Sequence, residues 1–204
     1  MTTKARFEHI LAWFAENMPV AESELHYDNP FQLLVAVMLS AQCTDKRVNM
    51  VTPALFAAYP TPEIMSQASV AEVLAYIRSV SYPNAKATHL VGMAQRLCEA
   101  YGGQVPDNID DLQTLPGVGR KSANLVMGDV FGKPAIVTDT HCIRLTNRIG
   151  LVDNIKEPKK VEMALWKIIP PEEGNDFCHR LVEHGRDVCT ARTTPHCDRC
   201  VLND

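Results

Sequence analysis

The chain has 204 residues and a formal net charge of −4; it is 46% hydrophobic and 22% charged, and it holds seven cysteines. That length can bury a substantial core, as one large domain or two small lobes, and the composition is that of an ordinary globular protein. The acidic balance offers no general attraction to nucleic acid, and the longest apolar run, Phe31 to Leu39 broken by Gln32, is too short to span a bilayer.

Taken in order, the elements read as helices. The start, MTTKARFEHILAW, lacks the long apolar core of a secretory signal, which makes the cytoplasm the default compartment. Phe7, Ile10, Leu11, Phe14 and Met18 fall on one helical stripe. Phe31 to Leu39 is apolar on nearly all sides, as a helix at the centre of a bundle should be. Val70, Val73, Leu74 and Ile77 repeat the stripe, as do Leu90, Val91, Ala94, Leu97 and Tyr101 before a Gly102-Gly103 stop. A short helix from about Asp110 leads into Pro116-Gly117-Val118-Gly119, and another starts near Arg120. Val161, Leu165, Ile168 and Ile169 mark a later helix closed by Pro170-Pro171. There is no internal repeat or low-complexity segment, so the predicted fold class is all-α. His9, His26 and His89 have no partners at ligand spacing and receive no role.

The stretch Leu115-Pro-Gly-Val-Gly-Arg-Lys-Ser-Ala-Asn carries the chemistry. Two glycines around one small apolar residue allow a tight turn and bring backbone N–H groups close to a ligand. The helix that follows begins with N–H groups lacking intrahelical partners, backed by the positive end of its dipole. Such a turn suits a phosphate oxygen, and a backbone contact of this kind reads no base sequence. Gly-x-Gly alone would equally suit a plain helical corner. From Gly117 to Arg148 the basic residues Arg120, Lys121, Lys133, Arg144 and Arg148 are opposed only by Asp129 and Asp139, a local excess against the acidic whole.

The full Leu115 to Asn124 string, with Leu39-Ser40-Ala41-Gln42, Asp139-Thr140-His141 and His184-Gly185-Arg186 before Cys189, resembles the endonuclease III family of helix–hairpin–helix DNA glycosylases over almost the whole length. The resemblance implies two helical lobes with a central DNA-binding cleft. One lobe, 22–133, would be a six-helix bundle holding the hairpin, and the other would join 1–21 to 134–204. It implies base-excision repair of oxidised pyrimidines in damaged double-stranded DNA by a monomer at the nucleoid. Lys121 falls on the family's nucleophile and Asp139 on its catalytic aspartate. A lysine at a helix start is disfavoured as a cation, and burial would add to that, so a neutral amine able to attack sugar C1′ is the expectation. Asp139 or Thr138 also makes a good N-cap. Gln42 would fill the hole left by a flipped base, and Tyr82 would supply a second wedge where the family often has leucine. Leu115, Gly117, Val118, Gly119, Arg120 and His141 complete the implied DNA contacts. Two rivals stay in play: a mismatch-specific glycosylase of the same superfamily and a non-catalytic helix–hairpin–helix DNA-binding protein.

The family's C-terminal cysteines ligate a [4Fe–4S] cluster, and Cys189, Cys197 and Cys200 fall there. Their C-x7-C-x2-C spacing is one residue longer in the first gap than the family's, and no fourth cysteine follows in this chain. Zinc with His196 or His184 as fourth ligand is the competing reading, and spacing and context favour the iron–sulfur origin. A cluster there would present Arg192 and Arg199 to the DNA backbone.

Overall fold

The structure is a computed structural model describing residues 2–20, 22–191, 193–200 and 202. Arg192 therefore lies outside the described residues. Among the described residues there is no strand; the fold is all-α, as the periodicity predicts. The chain divides into two compact units, Ser23–Gly132 and Met1–Glu22 with Lys133–Asp204.

In the first unit, helix α2 (Pro30–Ser40) starts on an Asn29 cap, with Pro30 at its first position. Phe31 and every residue from Leu33 to Leu39 are buried. This is the all-round apolar helix read from the sequence, and it packs against α3 (Asp45–Ala58), α6 (Pro83–Tyr101) and α8 (Arg120–Phe131). Each fully buried leucine here is worth about 1.5–3 kcal/mol relative to exposure. The short helices α4 (Pro62–Ser66) and α5 (Val70–Ile77) lie along α6, with a Ser69/Glu72 capping box starting α5. Gly102 ends α6 in the left-handed conformation, the predicted stop. Helix α7 (Ile109–Leu112) brings the helical segments of this unit to seven among the described residues, against six expected. The short segments α4 and α7 carry too few residues for a periodic pattern to register.

The second unit contains α1 (Thr3–Asn17), α9 (Thr140–Arg148), α10 (Pro158–Leu165) and α11 (Gly174–Asp187). Its core gathers Phe7, Ile10 and Phe14 from α1 with Phe177 and Leu181 from α11, and the Phe7 and Phe177 rings meet edge to face at 5.3 Å. Arg6 Nη1 donates to the carbonyls of Ile149 and Gly150, joining α1 to the end of α9. Helix α10 ends at Leu165, short of Pro170. Ile168 and Ile169 continue the apolar stripe in a turn, where Ile169 is still buried.

Candidate DNA-repair site

Helix α8 begins on Gly119, which has no side chain to cap the first N–H groups. In the same unit, Asn29, Thr44, Thr61, Ser69 and Asn108 each close their helix with a side-chain oxygen. The two hairpin glycines serve different purposes. Gly117 has φ +79°, and a Cβ there would sit 2.8 Å from His89 Cβ and 2.9 Å from Met38 Cε. Only glycine fits that turn. Gly119 has an ordinary extended φ of −89°, and a Cβ would meet nothing within 4 Å. Leu115 and Val118 turn their side chains into the core, so any DNA contact they make is through backbone. Arg120 is half-buried at the first position of α8.

Lys121 follows on the first turn of α8 and is exposed. The burial expected from the sequence is absent: the first turn projects the side chain outward while Ala123 to Val126 fill the core.

Gln42 and Tyr82 come together in this unit. Both are exposed non-glycine residues in the left-handed region, at φ +53° and +54°, a conformation costing roughly 1–3 kcal/mol that clusters at functional sites. With Met38, Ala41, Ala85, Lys86, His89 and Gly117 they line a cavity of about 200 Å³. His89 and Lys86 were not among the sequence-based site residues. His89 had no motif around it, and a lysine on a helix carries no pattern announcing that it is buried.

In the second unit, Ala135, Ile136 and Val137 form a buried approach to α9. Asp139 then caps α9, with Oδ1 accepting from the Cys142 N–H at 2.7 Å. His141 is half-buried at the second position of α9. Burial pushes its ring below the ordinary histidine value, Asp139 opposes that, and Arg144 and Arg186 reinforce it. Arg144 Nη2 lies 3.2 Å from His141 Nδ1, and a guanidinium only donates, so Nδ1 accepts and the ring proton sits on Nε2. Gly185 leaves the room this pair needs, since a Cβ there would overlap Nδ1. These residues, with Thr140, Arg186, Thr190, Ala191 and Thr193, line a second cavity of about 400 Å³.

Several basic residues are committed inside the unit. Arg144 also donates to the carbonyls of Gly185 and Cys189, and Arg148 donates to Cys189 Sγ at 3.2 Å and to the Thr190 carbonyl. Arg199 pairs with Asp187 at 2.9 Å. Proximity in sequence therefore overstated the basic surface.

Cys189 and Cys197 both lie within electrostatic reach of Cys200. Burial pushes the Cys200 thiol up, a backbone hydrogen bond at Leu202 opposes that, and Cys189 and Cys197 add to the rise. His184 Nε2, not His196, approaches Cys200 Sγ, at 3.5 Å. Among the described residues, no three His, Cys, Asp or Glu groups converge to hold a metal ion, and three thiols fall one short of the four that a protein-ligated [4Fe–4S] cluster takes. The donor set does not by itself make that site.

Residues 35–171 match the model of the HhH-GPD superfamily of base excision DNA repair proteins. The chain is 40% identical over 201 residues to endonuclease III of Escherichia coli (strain K12), covering 98% of this chain and 94% of that one. It is 42% identical over 200 residues to endonuclease III of Synechocystis, covering 98% and 90%. The chain belongs to the endonuclease III family. Its fold superposes on the solved structure of a trapped endonuclease III–DNA covalent intermediate, an estranged-adenine complex, with a TM-score of 0.94 and 42% identity, covering 99% of this chain and 94% of that one. This endonuclease III homologue is a base-excision DNA glycosylase/lyase. Among its described residues no helix is long and apolar enough to cross a membrane.

Proposed function

We propose that this chain removes oxidised pyrimidines from duplex DNA with Lys121 as nucleophile and Asp139 as its acidic partner. What carries the reading is the placement of Lys121: an exposed amine on the first turn of a helix whose N-terminus has no side-chain cap and faces open space at Gly119. Bound DNA would cover this exposed amine and bring it against the sugar. The neutral amine attacks sugar C1′, forming the C–N bond as the C–N bond to the damaged base breaks. The ring then opens to an imine. Loss of a proton from C2′ expels the 3′ phosphate, which cuts the strand. Asp139 stabilises positive charge on the sugar as the base departs and handles the proton at the amine.

The backbone N–H groups around Gly117 and Gly119 hold a phosphate of the damaged strand, and His141 offers Nε2–H to another. Gln42 and Tyr82 fill the stack when the base leaves it. The protein acts as a monomer on chromosomal DNA in the cytoplasm. For Cys189, Cys197 and Cys200, family membership favours iron–sulfur ligation over zinc binding. Iron and acid-labile sulfide assays on purified protein check it: iron with sulfide supports the reading, and zinc without sulfide ends it.

The central test is borohydride trapping on duplexes containing thymine glycol or an abasic site. A covalent adduct with wild type that disappears in Lys121→Gln is the expected outcome. Tight DNA binding without any adduct would leave a binder or a monofunctional glycosylase.

A further inference from the structure

Among the described residues Lys86 is the one buried lysine, 7% exposed, and both of its hydrogen-bond partners are backbone carbonyls. Its Nζ donates to Leu39 O and Ala41 O, each at 2.7 Å. These carbonyls lie at the C-terminal end of α2, where intrahelical donors run out and the dipole is negative. The next residue is Gln42. At its other end, Lys86 belongs to the first turn of α6, its N–H donating to the carbonyl of the Tyr82 cap at 3.1 Å. Ser81 Oγ, beside Tyr82, donates to Gln42 O at 2.6 Å. The segments 39–42 and 81–86 are thus cross-tied twice, and each carries one of the two strained, exposed residues of the cavity wall.

Strain at Gln42 and Tyr82 persists only where the surroundings over-determine it. Burial pushes the Lys86 ammonium below the ordinary lysine value, and Cys43 only partly opposes that. Packing α6 on α2 needs no cation, because an apolar side chain of similar length would fill the space without that cost. What an apolar side chain cannot do is hold the carbonyls that set the exit angle of the chain into Gln42. We propose that Lys86 is a positioning residue that pre-organises Gln42 and Tyr82 as one rigid pair for insertion into the duplex. This rests on the reading of Gln42 and Tyr82 as the residues that fill the stack.

The test compares two rates for each variant: single-turnover excision of thymine glycol from a duplex, and borohydride trapping on an abasic site in a single strand, where no pair has to be opened. A fault in overall folding lowers both, whereas misplaced wedges lower the duplex rate alone. The duplex-to-single-strand ratio should fall roughly tenfold in Lys86→Met, as expected when a positioning contact is lost, and by a smaller factor in the same direction in Ser81→Ala. Circular dichroism establishes folding, and should Lys86→Met not fold, Ser81→Ala decides. A ratio within about twofold of wild type in the deciding variant, while Gln42→Ala lowers it, overturns the role of Lys86. A ratio that Gln42→Ala also leaves in place overturns the insertion reading instead, and the Lys86 proposal with it.

Discussion

Two helix starts, one in each unit, are built in opposite ways. Helix α8 opens on Gly119, with no side-chain cap and clear space in front. Helix α9 opens on Asp139, whose own carboxylate takes the Cys142 N–H. Both termini present the same orphan donors and the same positive dipole end. One carries no side-chain cap and is followed by the exposed Lys121. The other is filled by an acid that remains half-exposed and available for a second task. A helix N-terminus can thus be a binding site or a mount for a reactive carboxylate, and the capping residue decides which.

Lys121→Gln should break the open end most severely. Trapped adduct and strand cleavage fall by about three orders of magnitude or more, as when other catalytic nucleophiles are removed, while duplex binding persists. Gel-based trapping beside a binding isotherm reads both. At the closed end, Asp139→Asn separates two roles that one residue combines. Asparagine caps a helix about as well as aspartate, so thermal stability should move by no more than about 0.5 kcal/mol. The chemical step should still slow by roughly 10²–10⁴-fold in single-turnover assays. A matching loss of stability would mean that the carboxylate is chiefly structural.

The hairpin glycines allow a finer cut. Gly117→Ala introduces a Cβ into the left-handed region and against His89 and Met38, and should cost about 2–4 kcal/mol in chemical denaturation. Gly119→Asp meets no neighbour and has a permitted backbone, so it gives α8 the cap that α9 already has. It should raise stability by a few tenths of a kcal/mol, yet weaken duplex binding roughly tenfold by occupying and repelling the phosphate position. A variant that binds as well as wild type would show that the α8 terminus does not face DNA.

Much of this arrangement is legible in the sequence, because it rests on local rules. The all-round apolar run of α2, the Gly102 stop, the glycine hairpin and the Asp139 cap each follow from a few adjacent residues. What escaped reading is long-range or conformational. No pattern announces that Lys86 reaches carbonyls 45 and 47 residues away, or that Gln42 and Tyr82 adopt a conformation usual for glycine. Charge counting along Gly117 to Arg148 could not show that Arg144 and Arg148 serve the Cys189 segment. The exposure of Lys121 depends on which face of α8 its core residues claim, and the motif alone does not state it. Ile168 and Ile169 extended a helical stripe that the backbone abandons at Leu165, since a turn can bury the same side chains.

The smallest predicted effect concerns the net charge at the start of α9. His141 is held neutral there by burial first and then by the guanidinium groups of Arg144 and Arg186, against the pull of Asp139. A protonated Nδ1 would also set an N–H against the Arg144 donor that it now accepts. Its folded value lies below the ordinary 6.5, so in the window between the two the unfolded chain binds a proton that the folded chain does not. Stability then rises with pH across that window and is lost as pH falls below 6.5. His184, likewise held down by burial with Asp187 opposing, contributes in the same direction. Thermal unfolding between about pH 7.5 and 5.5 should therefore show a falling midpoint in wild type and a shallower fall in His141→Asn, where the His184 contribution remains. An undiminished slope in the variant would place the proton uptake elsewhere and remove His141 from the electrostatics of the α9 terminus.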